Sequence, residues 1–236
     1  MQSILTQMRK AILHYNMIKD GDKILVAISG GKDSVCLLVG LSMLKRYIGI
    51  DYTLLAVTLD PTFGGVETDY TLIQELCNKL EIPYIIKRTQ IGNVVFDIRQ
   101  EPNPCSLCAR MRRGILHDIA NENNCNVIAL GHHNDDAVQT FIMNLFNEGR
   151  IGCFSPVTYL SRKNLTSIRP LVFIAEKDII RSVRRHELPI VKSKCSVDGH
   201  TQREWTKDFL KEMDKKHINI NKKLFGAMVR GKINGW

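Results

Sequence analysis

The stretch KILVAISGGKDSVCLLVGLSML, residues 23–44, constrains this chain more than any other. An apolar run breaks at two glycines and resumes as a second apolar run. Residues 24–28 are rich in β-branched side chains and bounded by Gly21 and Gly30, which suits a buried central strand of a parallel sheet. Beyond the break, Val35, Leu37, Leu38, Leu41 and Leu44 recur at three- and four-residue spacing, as one face of a helix does. A glycine-rich turn joining a strand to a helix N-terminus presents backbone N–H groups, and glycine lets a phosphate approach them. Ser29-Gly30-Gly31-Lys32-Asp33-Ser34 is such an anion cradle, with Lys32 as a point charge and the hydroxyls of Ser29 and Ser34 as donors. It is not a Walker A loop, because Lys32 is followed by Asp33 and position 26 is Val, and it lacks G-x-G-x-x-G. An ordinary Gly-rich turn would need neither the lysine nor the flanking serines.

Further strand patterns at 52–59, 82–87 and 127–130 alternate with helical patterns at 66–80 and 109–120, and residues 3–15 read as an amphipathic helix. This alternation predicts an α/β fold: a Rossmann-like parallel sheet with helices on both faces and ligands outside the carboxyl ends of the strands. Residues 92–104 show little periodicity, and the prolines of Glu101-Pro102-Asn103-Pro104 forbid a helix there. Residues 149–169 are loop-rich with room for short strands, and 177–185 and 205–216 look helical. The expected division is an N-terminal helix, 1–20, a nucleotide-binding domain, 21–170, and a C-terminal segment, 171–236.

Charge separates the last part from the rest. Residues 1–150 hold 15 Lys and Arg against 16 Asp and Glu, a net of −1; residues 151–236 hold 18 against 8, a net of +10. A concentrated basic surface suits a polyanion, and the alternative is plain solubility charge. No stretch approaches the roughly 20 apolar residues that span a bilayer, and the start of the chain lacks a signal-peptide layout, so a cytoplasmic protein without membrane attachment is expected. Seven cysteines then read as thiols, ligands or catalysts rather than as a disulfide framework.

Two of them form Cys105-Ser106-Leu107-Cys108, just after the prolines and at the start of a helix, where thiols are more acidic and bind metals better. The spacing alone leaves a metal centre, a redox pair or structural thiols open. Gly131-His132-His133-Asn134-Asp135-Asp136 follows the fourth predicted strand, where a parallel sheet opens its ligand crevice. A carboxylate there can hold Mg²⁺ or cap the following helix. Arg110, Arg112 and Arg113, and again Arg181, Arg184 and Arg185, form clusters suited to phosphate backbone or to a solvated face.

SGGKDS resembles the pyrophosphate-binding loop of the ATP pyrophosphatases. With Cys105 to Gly114, Gly131 to Asp136, His14 to Ile18, Arg169-Pro170-Leu171 and Glu176-Lys177-Asp178, nearly the whole chain resembles the tRNA 2-thiocytidine synthetases, iron–sulfur-dependent tRNA thiolases. The resemblance implies the adenine nucleotide alpha hydrolase fold and ATP held by Ser29, Gly30, Gly31, Lys32, Asp33, Ser34, Ala27, Leu59, Asp60, Gly131, His132 and Asp136. It implies catalytic or Mg²⁺-holding roles for Lys32, Asp33 and Asp135, with Asp136 as the other candidate of the acidic pair. It also implies a [4Fe-4S] cluster on Cys105, Cys108 and Cys195, the only cysteine of residues 189–203. The expected reaction is thiolation of a tRNA pyrimidine, cytidine 32 in the resembled family. Sulfur would come from a cysteine desulfurase or inorganic sulfide, and a homodimer is expected. The alternatives are the same chemistry on uridine or a small molecule, and a cluster-independent ligase. Cys36, Cys77, Cys125 and Cys153 read as small core residues.

Overall fold

In the computed structural model, residues 1–100, 103–197, 199 and 202–236 are described; Glu101 and Pro102 of the proline-rich approach, and Asp198, His200 and Thr201 beyond Cys195, lie outside the described residues. Six strands form one sheet in the order β3-β2-β1-β4-β6-β5: β1 (Asp22–Ile28), β2 (Tyr52–Asp60), β3 (Tyr84–Arg88), β4 (Val127–Ala129), β5 (Val157–Leu160) and β6 (Leu165–Ile168). The first four and β6 run parallel, and only β5, paired to β6, is antiparallel. This hairpin is the structure that the loop-rich stretch 149–169 adopts.

The strands alternate between two helical layers. Ile24, Val26 and Ile28 of β1 enter one core while Leu25 enters the other, so the strand reads as a continuous apolar run with no solvent face. The larger core lies under α1 (Gln2–His14), α2 (Lys32–Leu44), α3 (Thr71–Lys79) and α6 (Glu176–Arg185); the smaller lies under α4 (Pro104–Glu122), which supplies Leu116, Ile119 and Ala120. A buried aliphatic side chain of this kind contributes about 1.5–3 kcal/mol over an exposed one. Gly40 brings α1 against α2, since a Cβ there would lie 2.3 Å from Sδ of Met8. Ile4, Met228 and Trp236 all enter the larger core, so the three parts of the chain share it.

Some boundaries differ from the sequence reading. The third helix starts at Thr71, not near 66, because the carboxylate of buried Asp60 accepts from the backbone N–H groups of Thr62 (3.1 Å) and Thr68 (2.8 Å) and pins that stretch as a loop. A π-helical turn, Asn93–Ile98, occupies part of the stretch that showed no periodicity. The CxxC lies inside α4, whose first residue is Pro104, a position where the missing N–H costs nothing. After α5 (Asn134–Glu148), the C-terminal segment adds α7 (Gln202–Lys216) and α8 (Ile220–Arg230). No helix among the described residues is long and apolar enough to cross a membrane.

Candidate active site

The strand order reverses at β1: the chain runs outward through β2 and β3, then returns to place β4 on the other side. A crevice opens at such a point outside the carboxyl ends of the strands. Two loops meet in it, Ser29 to Gly31 after β1 and Gly131 to His133 after β4. A Cβ on Gly131 would lie 3.1 Å from the backbone N of Ser34, so glycine permits this approach. The serines shape the first loop. Ser34 Oγ donates to Gly31 O at 2.9 Å and accepts from Ser29 N at 3.2 Å, while Ser29 Oγ accepts from Gly31 N at 3.3 Å.

Lys32 opens α2, and its Nζ lies 3.0 Å from Asp33 Oδ2 and 2.9 Å from Glu176 Oε1. Burial lowers the lysine pKa, but the two carboxylates outweigh it and hold Lys32 above its ordinary value. Asp33 is raised by burial, against the pull of His133 and Lys32, so its negative charge is under-compensated. Its Oδ1 is buried and has no hydrogen-bond partner among the described residues, with His133 Nε2 at 3.7 Å. Glu176, at the N-terminus of α6, sits below its ordinary value: burial raises it, but the ammonium groups of Lys32 and Lys207 prevail. Lys207 Nζ is 3.2 Å from Glu176 Oε2.

The loop after β4 divides its paired residues between two directions. His133 is buried beside Asp33 and caps α5 reciprocally with Asp136, whose Oδ2 accepts from His133 N at 3.0 Å. His132 instead packs on Phe154, ring centroids 4.9 Å apart, with Nδ1 buried and unpartnered among the described residues. Asp136 faces Arg203, whose Nη1 lies 3.3 Å from Oδ1. Asp135 turns toward the helices: Oδ2 accepts from Glu176 N at 2.7 Å and Oδ1 from Asn221 Nδ2 at 2.9 Å. Lys32, Asp33, His133, Asp136, Glu176 and Arg203 thus share one pocket of about 210 Å³. Asp60, with Leu59 buried before it, ends β2, and Ala27 lies in β1.

A strap crosses the first loop. Val191 N donates to Gly30 O at 2.9 Å, and Gly30, at φ +85°, leaves no room for a Cβ, which would lie 2.9 Å from Val191 Cβ. Lys194 Nζ then donates to Glu67 O at 2.8 Å. The strap brings Cys195 into electrostatic contact with Cys108: burial raises the Cys108 thiol, Arg112 opposes, and Cys195 and Cys105 raise it further. Among the described residues no three His, Cys, Asp or Glu side chains converge closely enough to hold a metal ion. Cys36, Cys77 and Cys125 are buried in the core, and the Cys153 thiol, donating to Ala137 O at 3.3 Å, is pushed up to about 12 by burial.

A family model of the PP-loop domain matches residues 2–212. The chain belongs to the PP-loop family. It is 39% identical over 228 residues to tRNA-cytidine(32) 2-sulfurtransferase 1 of Francisella tularensis, a match covering 96% of this chain and 85% of that protein. With the tRNA-cytidine(32) 2-sulfurtransferase of Geotalea daltonii it shares 36% identity, covering 95% and 90%. Among solved structures, the U34-tRNA thiolase NcsA from Methanococcus maripaludis, described with its [4Fe-4S] cluster, matches with a TM-score of 0.77 and 25% identity, covering 97% of this chain and 77% of that one. The NH3-dependent NAD synthetase of Campylobacter jejuni shares the fold, at a TM-score of 0.51 and 17% identity.

In this PP-loop site the chemistry of the side chains fits two further components. The orphaned Asp33 oxygen fits a hard cation such as Mg²⁺, which prefers carboxylate oxygen. Cys105, Cys108 and Cys195, whose charges reach one another although the thiols do not converge on one point, suit an iron–sulfur cluster by ligand type. Sequence reasoning did not assign Glu176, His133, Arg203 or Lys207 to the pocket. Glu176 stood in the sequence only as part of Glu176-Lys177-Asp178, a stretch of the family resemblance that carried no role for it, and an acid opening a helix has a sufficient explanation in the helix dipole.

Proposed function

We propose that this PP-loop protein thiolates tRNA at the C2 position of a pyrimidine, cytidine 32 by its similarity to the relatives above. In the overall reaction the C2 carbonyl oxygen attacks the α-phosphorus of ATP and pyrophosphate leaves. A sulfur nucleophile then adds at C2, the C2–O bond breaks, and AMP departs. The observation that carries this reading is the strap from Val191 to Cys195, which bonds to the PP-loop at Gly30 O and sets Cys195 within range of the charge on Cys108.

Each residue then has a task. The N–H groups at the start of α2, with Lys32 and the two serines, bind the pyrophosphate portion; Lys32 exchanges its carboxylate partners for phosphate oxygens. Asp33, with Asp136 across the crevice, would hold Mg²⁺, which would supply charge to offset the phosphates, and His133 lies beside Asp33 at 3.7 Å. Arg203 pairs with Asp136 and keeps it aimed into the pocket. Asp135, proposed from sequence as catalytic, here anchors α6 and α8 with both its oxygens, so Asp136 is the acidic residue proposed to act. Cys105, Cys108 and Cys195 would hold the cluster, which supplies a Lewis-acidic iron for a soft sulfur nucleophile.

Anaerobic purification followed by iron and acid-labile sulfide analysis tests the reading, on the parent chain and on Cys195→Ala. About four irons per chain, lost or labile in the variant, is the expected result. Zinc, or no metal under strict anaerobiosis, would overturn sulfur transfer in favour of a cluster-independent ligase.

A further inference from the structure

A cavity of about 1100 Å³ opens beside the PP-loop pocket and shares Gln139, Glu176 and Lys207 with it. Five helices wall it, α5 with Asp135 and Gln139 and four others with cations. Lys10 comes from α1, Lys177 from α6, Lys207 and Lys211 from α7, and Lys222 and Arg230 from α8. Four acidic residues also line it, and each is already committed. Asp135 holds Glu176 N and Asn221, Glu176 pairs with Lys32 and Lys207, Asp178 pairs with Arg181 at 3.1 Å, and Asp214 accepts from Ile220 N at 2.7 Å. Lys10, Lys177, Lys222 and Arg230 form no ion pair among the described residues, so the surplus charge in the groove is positive. Phe173 adds an aromatic surface, with Lys10 Nζ 5.6 Å from its ring centroid and the His14 ring at 6.0 Å.

The volume exceeds the roughly 300–1,000 Å³ of small-molecule pockets, which favours a segment of chain as occupant. Cations spread over four helices match charges spread along a backbone rather than one anionic group, and an aromatic face accepts a nucleobase of any identity. We propose that this groove holds the single-stranded RNA flanking the nucleotide that enters the PP-loop pocket, with its phosphates on these cations and an unpaired base against Phe173. The proposal rests on the reading that RNA is the substrate. It gives α1 a second role, since its apolar face joins the core while Lys10 and His14 face the RNA.

The test is binding of a fluorescent anticodon stem-loop RNA, from low to moderate salt, by the parent, by Lys10→Glu/Lys222→Glu and by Lys177→Ala. All three lysines are exposed on helix surfaces, so these variants should melt as the parent does and bind ATP equally well. The double variant should lose at least about tenfold in RNA affinity at low salt, and each abolished phosphate contact should flatten the log–log salt slope by about 0.7–0.9. Lys177→Ala should show a smaller loss of the same kind. Parent-like affinity and slope in all variants would overturn the groove assignment while leaving thiolation standing. Intact RNA binding with turnover lost only when sulfur comes from a protein donor would also overturn it, by assigning the groove to that donor. A parent chain that binds no RNA would sink both this proposal and the functional reading beneath it.

Discussion

Lys32 Nζ stands 2.9 Å from Glu176 Oε1, a carboxylate 144 positions further along the chain, and the two meet because α2 and α6 start at the same end of the sheet. Glu176 therefore occupies the charge position that a phosphate oxygen would take beside Lys32. Glu176→Gln removes that competitor. With both side chains partly exposed the pair contributes only about 0.2–1 kcal/mol, so the variant should bind ATP up to about fivefold more tightly in titration calorimetry. Weaker ATP binding would show instead that Glu176 helps to hold the nucleotide.

Lys32→Ala should abolish pyrophosphate release in the presence of tRNA while leaving iron content unchanged. Loss of iron together with pyrophosphate release would make the loop a structural element of both sites.

The left-handed φ of Gly30 and the 2.9 Å approach to Val191 make Gly30→Ala doubly strained. The backbone conformation alone costs roughly 1–2 kcal/mol, which lowers the melting temperature by about 2–8 °C in a chain of this size. Because the strain falls where the strap crosses, ATP affinity and cysteine-dependent metal content should decline together. A variant with parent-like melting would show that the strap yields freely.

Burial, with Arg169 adding, lowers His132 from 6.5 to about 4. A histidine depressed on folding binds its proton better when unfolded, so its contribution to stability is complete above pH 6.5 and is lost as pH falls toward 4. Urea unfolding of the parent should lose stability across that window, and His132→Asn should flatten the dependence. An unchanged slope in the variant would assign the acid sensitivity to other groups.

Asp135→Asn and Asp136→Asn should separate anchoring from chemistry. The first disturbs acceptors for Glu176 N and Asn221 and should lower the melting temperature; the second should mainly lower turnover. The opposite pattern would return Asp135 to the catalytic role.

Local regularities were legible in the sequence. The PP-loop, its strand and its helix depend on neighbours in the chain, and the two-layer burial of Ile24, Leu25 and Val26 shows as an unbroken apolar run. Pairings across the chain left no such trace. Glu176 reads as a helix-start acid, and only the sheet order carries it to Lys32. His132 and His133 look alike in sequence, yet the cap of α5 turns His133 into the pocket and leaves His132 against Phe154. The start of α3 was misplaced because two hydrogen bonds to Asp60 hold the preceding residues out of the helix.

The bond from Val191 N to Gly30 O makes the cysteine segment a lever resting on the loop. Only three residues separate that fulcrum from Cys195. A shift of Gly30 as the loop grips a phosphate would be felt by the thiol without any domain having to turn, and on the proposed reading the chain itself would then tie readiness for sulfur delivery to the presence of a nucleotide.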